Sequence, residues 1–123
     1  MGNKKIILSG ESRKIIDELM VLLNFSRPQM VEFSLSKGLS IANGPTEIQS
    51  FDLSTKWEFG ESIIDGSEYL LYKHLIINEQ QRSLSEEEVS KYMGNYIELG
   101  CRKLKELMTN KSSIEDLRLA LLK

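Results

Sequence analysis

The chain has one cysteine, one histidine and two prolines in 123 residues. A lone Cys101 excludes an internal disulfide and fits a reducing cytoplasm, where the protein is expected. A lone His74 has no Cys or His companion at metal-ligating spacing, so it reads as a structural or surface residue. No apolar run reaches the roughly 18 residues that a membrane span needs, so no membrane partner is expected. The opening MGNKKIILSG has no long apolar centre of a signal peptide, and Ile6 stands where an acylation motif starting at Gly2 requires Ser or Thr. A phosphate-cradling glycine loop, a nucleophile paired with a base and a nuclease-like grouping of acids with lysine are also missing. The three glutamates of Ser85-Glu86-Glu87-Glu88 fan out around a helix and do not converge on a metal; Ser85 with Glu88 is a capping box. These absences point to a non-enzymatic chain without a cofactor.

What is present is a folded globular composition. Hydrophobic residues make up 41% and charged residues 28%, too apolar for a disordered chain and sized for one domain. The net charge of −2 hides an asymmetry. Residues 1–44 carry six Lys/Arg against four Asp/Glu, residues 45–90 three against ten, and residues 91–123 seven against four. Basic ends therefore flank an acidic middle, and if the ends meet in space a local positive wall survives the negative total.

The organising stretch is 3–42. Lys4 to Ser9 is β-prone and ends at Gly10. Ile15, Ile16, Leu19, Met20 and Leu23 then recur at helical spacing. Asn24-Phe25 breaks that pattern, Ser26 can cap a new helix, and Pro28 suits its first turn, where the missing N–H costs nothing. Val31, Leu35 and Leu39 carry the next apolar face, and Asn43-Gly44-Pro45 is the expected stop. Strand, helix, turn and capped helix outline a ribbon-helix-helix unit. Such a unit has no core alone, so two copies are expected to pair their strands.

The remainder, 57–123, reads as helical. Residues 45–56 form a polar loop anchored by Phe51 or Leu53, and Trp57-Glu58-Phe59 alternates like a short strand or plug. Ser67 can cap a segment, Tyr69 through Ile77, that is apolar on almost every side, which implies enclosure, in part by a second subunit. The longest helix is expected over 86–109. Its stripe is Val89, Tyr92, Met93, Tyr96, Gly100, Leu104 and Leu107, with Lys91, Glu98, Arg102 and Lys105 on the opposite, outer side and Lys103 on the flank. Gly100 within the stripe marks a close backbone approach, and Cys101 beside it reads as a small packing residue. Ser112-Ser113 caps a last short helix bearing Leu117, Leu121 and Leu122. The fold class expected is mainly α: a ribbon-helix-helix-like unit plus a helical C-terminal half in a single compact domain, 1–123.

Leu8-Ser9-Gly10-Glu11-Ser12 and Asn24-Phe25-Ser26-Arg27-Pro28 resemble the strand exit and inter-helix turn of ribbon-helix-helix DNA-binding proteins. In that family the second helix's N-terminus holds a DNA phosphate, as its unpaired N–H groups and dipole allow. Alternate strand residues of the family read bases, but Ile7 occupies such a position here and cannot hydrogen-bond a base edge. Burial against another subunit is the expectation for Ile7, and sequence-specific reading is not expected.

Three ordered passages are similar to a narrower family, the DndE family, the small subunit of the bacterial DNA phosphorothioation system. They are LSGES with NFSRPQMVEFSLSKGLSI, then WEFGES with EYLLYKHL, then YMGNYIELGCRKLKELMTNKSSIEDL. The chain departs from the family by IIDGS after Gly60-Glu61 and by Arg27 before Pro28. The resemblance implies an oligomeric, helical accessory protein, a dimer or tetramer. It would bind double-stranded DNA, intact or nicked, beside partners such as the sulfurtransferase-like DndC and the ATPase DndD. Carried over to this chain, the DNA-binding positions are Lys4, Lys5, Arg13, Lys14, Arg27, Arg102, Lys103 and Lys105. Two other functions fit parts of the sequence: a ribbon-helix-helix repressor or antitoxin that reads an operator through Asn3 and Lys5, and a scaffold whose acidic middle docks a protein without touching DNA.

Overall fold

The computed structural model describes residues 5–42, 44–45, 47–49, 51, 54–60, 63–64 and 66–109. Lys4, Leu53 and the expected last helix with Leu117, Leu121 and Leu122 lie outside the described residues. The described chain is mainly helical, in the order β1 (Lys5–Leu8), α1 (Gly10–Leu23), α2 (Arg27–Ser40), β2 (Trp57–Gly60), α3 (Gly66–Gln80) and α4 (Glu86–Thr109). None of these helices is long and apolar enough to cross a membrane.

β1 follows the period of two: Ile6 and Leu8 are fully buried, and Lys5 and Ile7 are exposed. Its partner corrects an expectation. β1 pairs antiparallel with β2 of the same chain, from Lys5 opposite Gly60 to Leu8 opposite Trp57. Residues directly opposite share a face of the ribbon. Trp57 and Phe59 thus lie on the face of Leu8 and Ile6, and their rings meet at 4.8 Å. The aromatic alternation of β2 supplies the apolar partner that a second copy was expected to bring.

The turns follow from local chemistry. Ser9 caps α1 by accepting from the Ser12 N–H at 3.2 Å. Asn24 closes α1 in the left-handed region with φ 57°, which Asn tolerates better than most residues. Ser26 and Gln29 form a full capping box at α2, with Pro28 in the first turn. α2 ends at Ser40, short of the expected Gly44, although Gly44 does take φ 87°. A second capping box, Ser85 with Glu88, opens α4.

α4 is the axis of the molecule. Every position from Tyr92 through Glu98 is buried, because α2, β1, α1 and α3 all pack on it. The expected basic outer face of α4 is therefore broken: Glu98 is 2% exposed and Arg102 is half-buried. The core gathers Ile6, Leu8, Ile15, Ile16, Leu19, Met30, Val31, Leu35, Met93, Tyr96, Ile97 and Leu104 around this helix. Its tightest seam is with α2. A Cβ on Gly100 would overlap the Ser34 carbonyl oxygen, and one on Gly38 would overlap the Tyr96 carbonyl oxygen. The close approach expected at Gly100 is thus made by the backbone of α2.

Within one chain α3 is not enclosed: Leu70, Leu71 and Leu75 are 53%, 56% and 43% exposed, and only Ile76 and Gln80 are buried. It touches the rest along one side, where the Tyr72 hydroxyl meets Ser36 of α2 at 2.7 Å and Gln80 donates to the Tyr96 hydroxyl at 2.6 Å.

The glycine seam gives a direct test. Gly100→Ala and Gly38→Ala each force two backbones apart and are expected to lower stability by about 1–3 kcal/mol in urea unfolding. Gly66→Ala, at the first residue of α3 with open space around it, is expected to leave the midpoint unchanged or raise it.

Candidate nucleic-acid interface

The N-terminal unit and α4 are joined through one buried carboxylate. Glu98 accepts from the Ser9 backbone N–H at 2.6 Å and the Ser9 hydroxyl at 2.9 Å, and also from the Ser12 hydroxyl and the Arg102 guanidinium. The first turn of α1 thus holds an anion supplied by its own chain, at the positive end of the helix dipole. Arg102 also reaches Glu11 at 3.0 Å and the Ser12 hydroxyl at 3.1 Å, and its guanidinium lies 4.4 Å from the Phe51 ring centroid. The N-terminal unit and α4 thus meet here, and Arg102 is neutralised where they meet. Phosphate binding through Arg102 would require breaking a buried ion pair, which costs more than a surface contact returns.

The other expected positions divide. Lys103 is engaged with Glu106 at 3.4 Å, Lys105 is half-buried on α4, and Lys14 is exposed on α1. Arg13 of α1 and Arg27 of α2 converge instead: their guanidinium carbons lie 5.9 Å and 5.4 Å from the same Trp57 ring centroid. The two charges are thus no more than about 11 Å apart, each within cation–π range of one indole. Arg13 and Arg27 are both exposed. Arg27 also pairs with Asp17 at 3.4 Å, and the two side chains of that pair are 44% and 48% exposed. Trp57, read from the sequence as a packing residue, is half-buried and packs while also carrying this pair. Its position opposite Leu8 in the ribbon sets the pair, and that pairing is invisible in a linear reading.

Lys5 occupies a separate place. It lines a cleft of about 320 Å³ with Ile7, Ile48, Phe51, Lys91 and Asn95. Ile7, expected against another subunit, is 40% exposed on this wall. Lys91 and Asn95 were not singled out as site residues. The signal for them is a polar line on α4 at helical spacing, Ser90, Lys91, Asn95 and Glu98, which lines this cleft together with Lys5 and Ile7 of β1.

Cys101 is a packing residue. It is fully buried, and burial pushes its thiol up to about 11 from an ordinary value near 9. Among the described residues no group of three His, Cys, Asp or Glu side chains is placed to hold a metal ion.

Two measurements check this account. Glu98→Ala leaves the half-buried Arg102 and two buried serine hydroxyls without this acceptor, so urea unfolding is expected to show a loss of about 2–4 kcal/mol. Cys101 is expected to resist iodoacetamide at pH 8 in the native chain and react promptly in urea. A thiol whose folded pKa is raised gives stability that is full below its ordinary value and lost as pH rises through the folded one. Stability is therefore expected to fall between pH 9 and about 11, and less steeply in Cys101→Ala. No family model, curated protein or solved structure matches this chain.

Proposed function

We propose that this protein is a non-enzymatic DNA-binding accessory subunit that contacts mainly the phosphate backbone. The observation that supports this most is the convergence of Arg13 and Arg27 on Trp57. Two guanidiniums drawn to one ring repel each other, and a polyanion laid across them relieves that repulsion. Arg27 stands in the first turn of α2, whose dipole adds to the same attraction. Its exposed pairing with Asp17 is of the kind worth about 0–1 kcal/mol, so exchange for a phosphate is inexpensive.

Contact with phosphates fits the ribbon better than operator reading does. Its outer face offers Ile7 and Glu58 beside Lys5, and β1 pairs with β2 of the same chain. A repressor or antitoxin would need a hydrogen-bonding side chain where Ile7 stands. Membership in a DNA sulfur-modification system, with DndC- and DndD-like partners and an oligomeric assembly, rests on the resemblance of the three ordered passages. The exposed Leu70, Leu71 and Leu75 are compatible with an assembly.

The test is fluorescence anisotropy on intact, nicked and single-stranded oligonucleotides over a range of salt. Duplex binding is expected to weaken steeply with salt and to depend little on sequence. The double variant Arg13→Gln with Arg27→Gln is expected to reduce the log–log salt slope by about 2 and the affinity at 0.1 M salt by about tenfold or more. Arg102→Gln is expected to change stability instead. Binding that is insensitive to salt, or unchanged in the double variant, would overturn the reading.

A further inference from the structure

The cleft beside Lys5 has unspent hydrogen-bonding capacity. Its α4 side is lined by Ser90, Lys91, Gly94, Asn95 and Glu98, and its other sides by Lys5 and Ile7 of β1 and by Ile48, Gln49 and Phe51. Ser90 and Asn95 are 6% and 3% exposed, yet Ser90 Oγ and Asn95 Nδ2 have no hydrogen-bond partner among the described residues. Buried polar atoms of this kind cost about 1–3 kcal/mol each and are retained where something satisfies them. Asn95 is held in place, because its Oδ1 accepts from the Gln49 N–H at 3.0 Å, which leaves its amide NH₂ as the unsatisfied half.

The charges point the same way. Lys5 and Lys91 are both exposed at this cleft. The one carboxylate lining it among the described residues, Glu98, has its charge cancelled by Arg102 and its oxygens taken by Ser9 and Ser12 at the start of α1. Two ammonium groups, a hydroxyl and an amide NH₂ are thus gathered at one site. Beside them Ile7, Ile48 and Phe51 make an apolar wall suited to a flat ring. The volume of about 320 Å³ is at the small end of ligand pockets.

We propose that this cleft binds a nucleotide-sized phosphate monoester, with its phosphate between Lys5 and Lys91 and its ring against Ile7, Ile48 and Phe51. Ser90 and Asn95 supply the directed hydrogen bonds that two flexible lysines cannot. The same chemistry belongs to a free nucleoside monophosphate and to the phosphorylated end of a nucleic-acid strand. The proposal does not depend on the Arg13–Trp57–Arg27 pair.

Isothermal titration and amide chemical-shift mapping on the full chain test it with four probes: inorganic phosphate, a nucleoside, a nucleoside monophosphate, and a 5′-phosphorylated oligonucleotide beside its unphosphorylated twin. Saturable binding of the monophosphate, tighter than phosphate or nucleoside alone, is expected, with shifts at Lys91, Gly94 and Asn95. Binding of the phosphorylated oligonucleotide in preference to its twin, without binding of the free monophosphate, supports the site and assigns the strand end as its source. Lys91→Ala, a surface change that leaves the core intact, is expected to weaken binding about tenfold, and Asn95→Asp to weaken it further by placing a carboxylate beside the phosphate. Arg13→Gln with Arg27→Gln is expected to leave monophosphate binding unchanged, which separates failure of this site from failure of the duplex interface. No saturable binding of any phosphorylated probe at millimolar concentration, or equal binding by wild type and Lys91→Ala, overturns the proposal.

Discussion

A single buried carboxylate ties the molecule together. Glu98 stands on α4 and fills the amino end of α1, where two serines and an arginine complete its hydrogen bonds. A charge so placed is tolerable only when every lone pair is met, and here the donors come from both ends of the chain. The residues that satisfy it therefore fix how the N-terminal unit sits on the C-terminal helix. The same arrangement removes Arg102 from the cations available to a ligand.

The glycine seam explains why α4 rather than the ribbon is central. With Gly38 against Tyr96 and Gly100 against Ser34, the backbones of α2 and α4 come closer than any side chain would allow. Gly94 repeats the device under β1, where a Cβ would approach the Ile7 carbonyl oxygen at 3.1 Å. Close contact at these points surrounds α4 over its middle turns, and the core forms within one chain. A ribbon-helix-helix unit obtains that burial from a second copy; here α4 and β2 provide it.

Surrounding α4 also decides where charge can meet a ligand. Glu98 and Arg102 spend their charges on each other, and Lys103 pairs along its own helix. Two groups of exposed cations stand out among the described residues, the arginine pair over Trp57 and the lysine pair at the cleft. The first suits a long polyanion, because both guanidiniums are open to solvent on one ring. The second suits a small anion, because its remaining donors lie at the bottom of a cleft.

The local elements were legible in the residues. The Ser26 cap with Pro28 behind it and the capping box of Ser85 with Glu88 placed the starts of α2 and α4, and strand alternation put Ile6 and Leu8 inward. Gly100 was legible as a close approach because glycine inside an apolar helical stripe has few other uses. These are short-range effects, set by backbone hydrogen bonds and side-chain period. The partner of β1, the burial of Glu98, the exposure of α3 and the meeting of Arg13 with Arg27 depend on contacts between residues far apart in the chain. Helical periodicity put Glu98 on the outer face of α4, and only the packing of α1 on that face made it internal. Sequence alone determined that α1, α2, α3 and α4 form and where α2 and α4 begin. Tertiary structure decided which charges remain open to a ligand, because a charge is silenced by its spatial neighbours and not by its place in the chain.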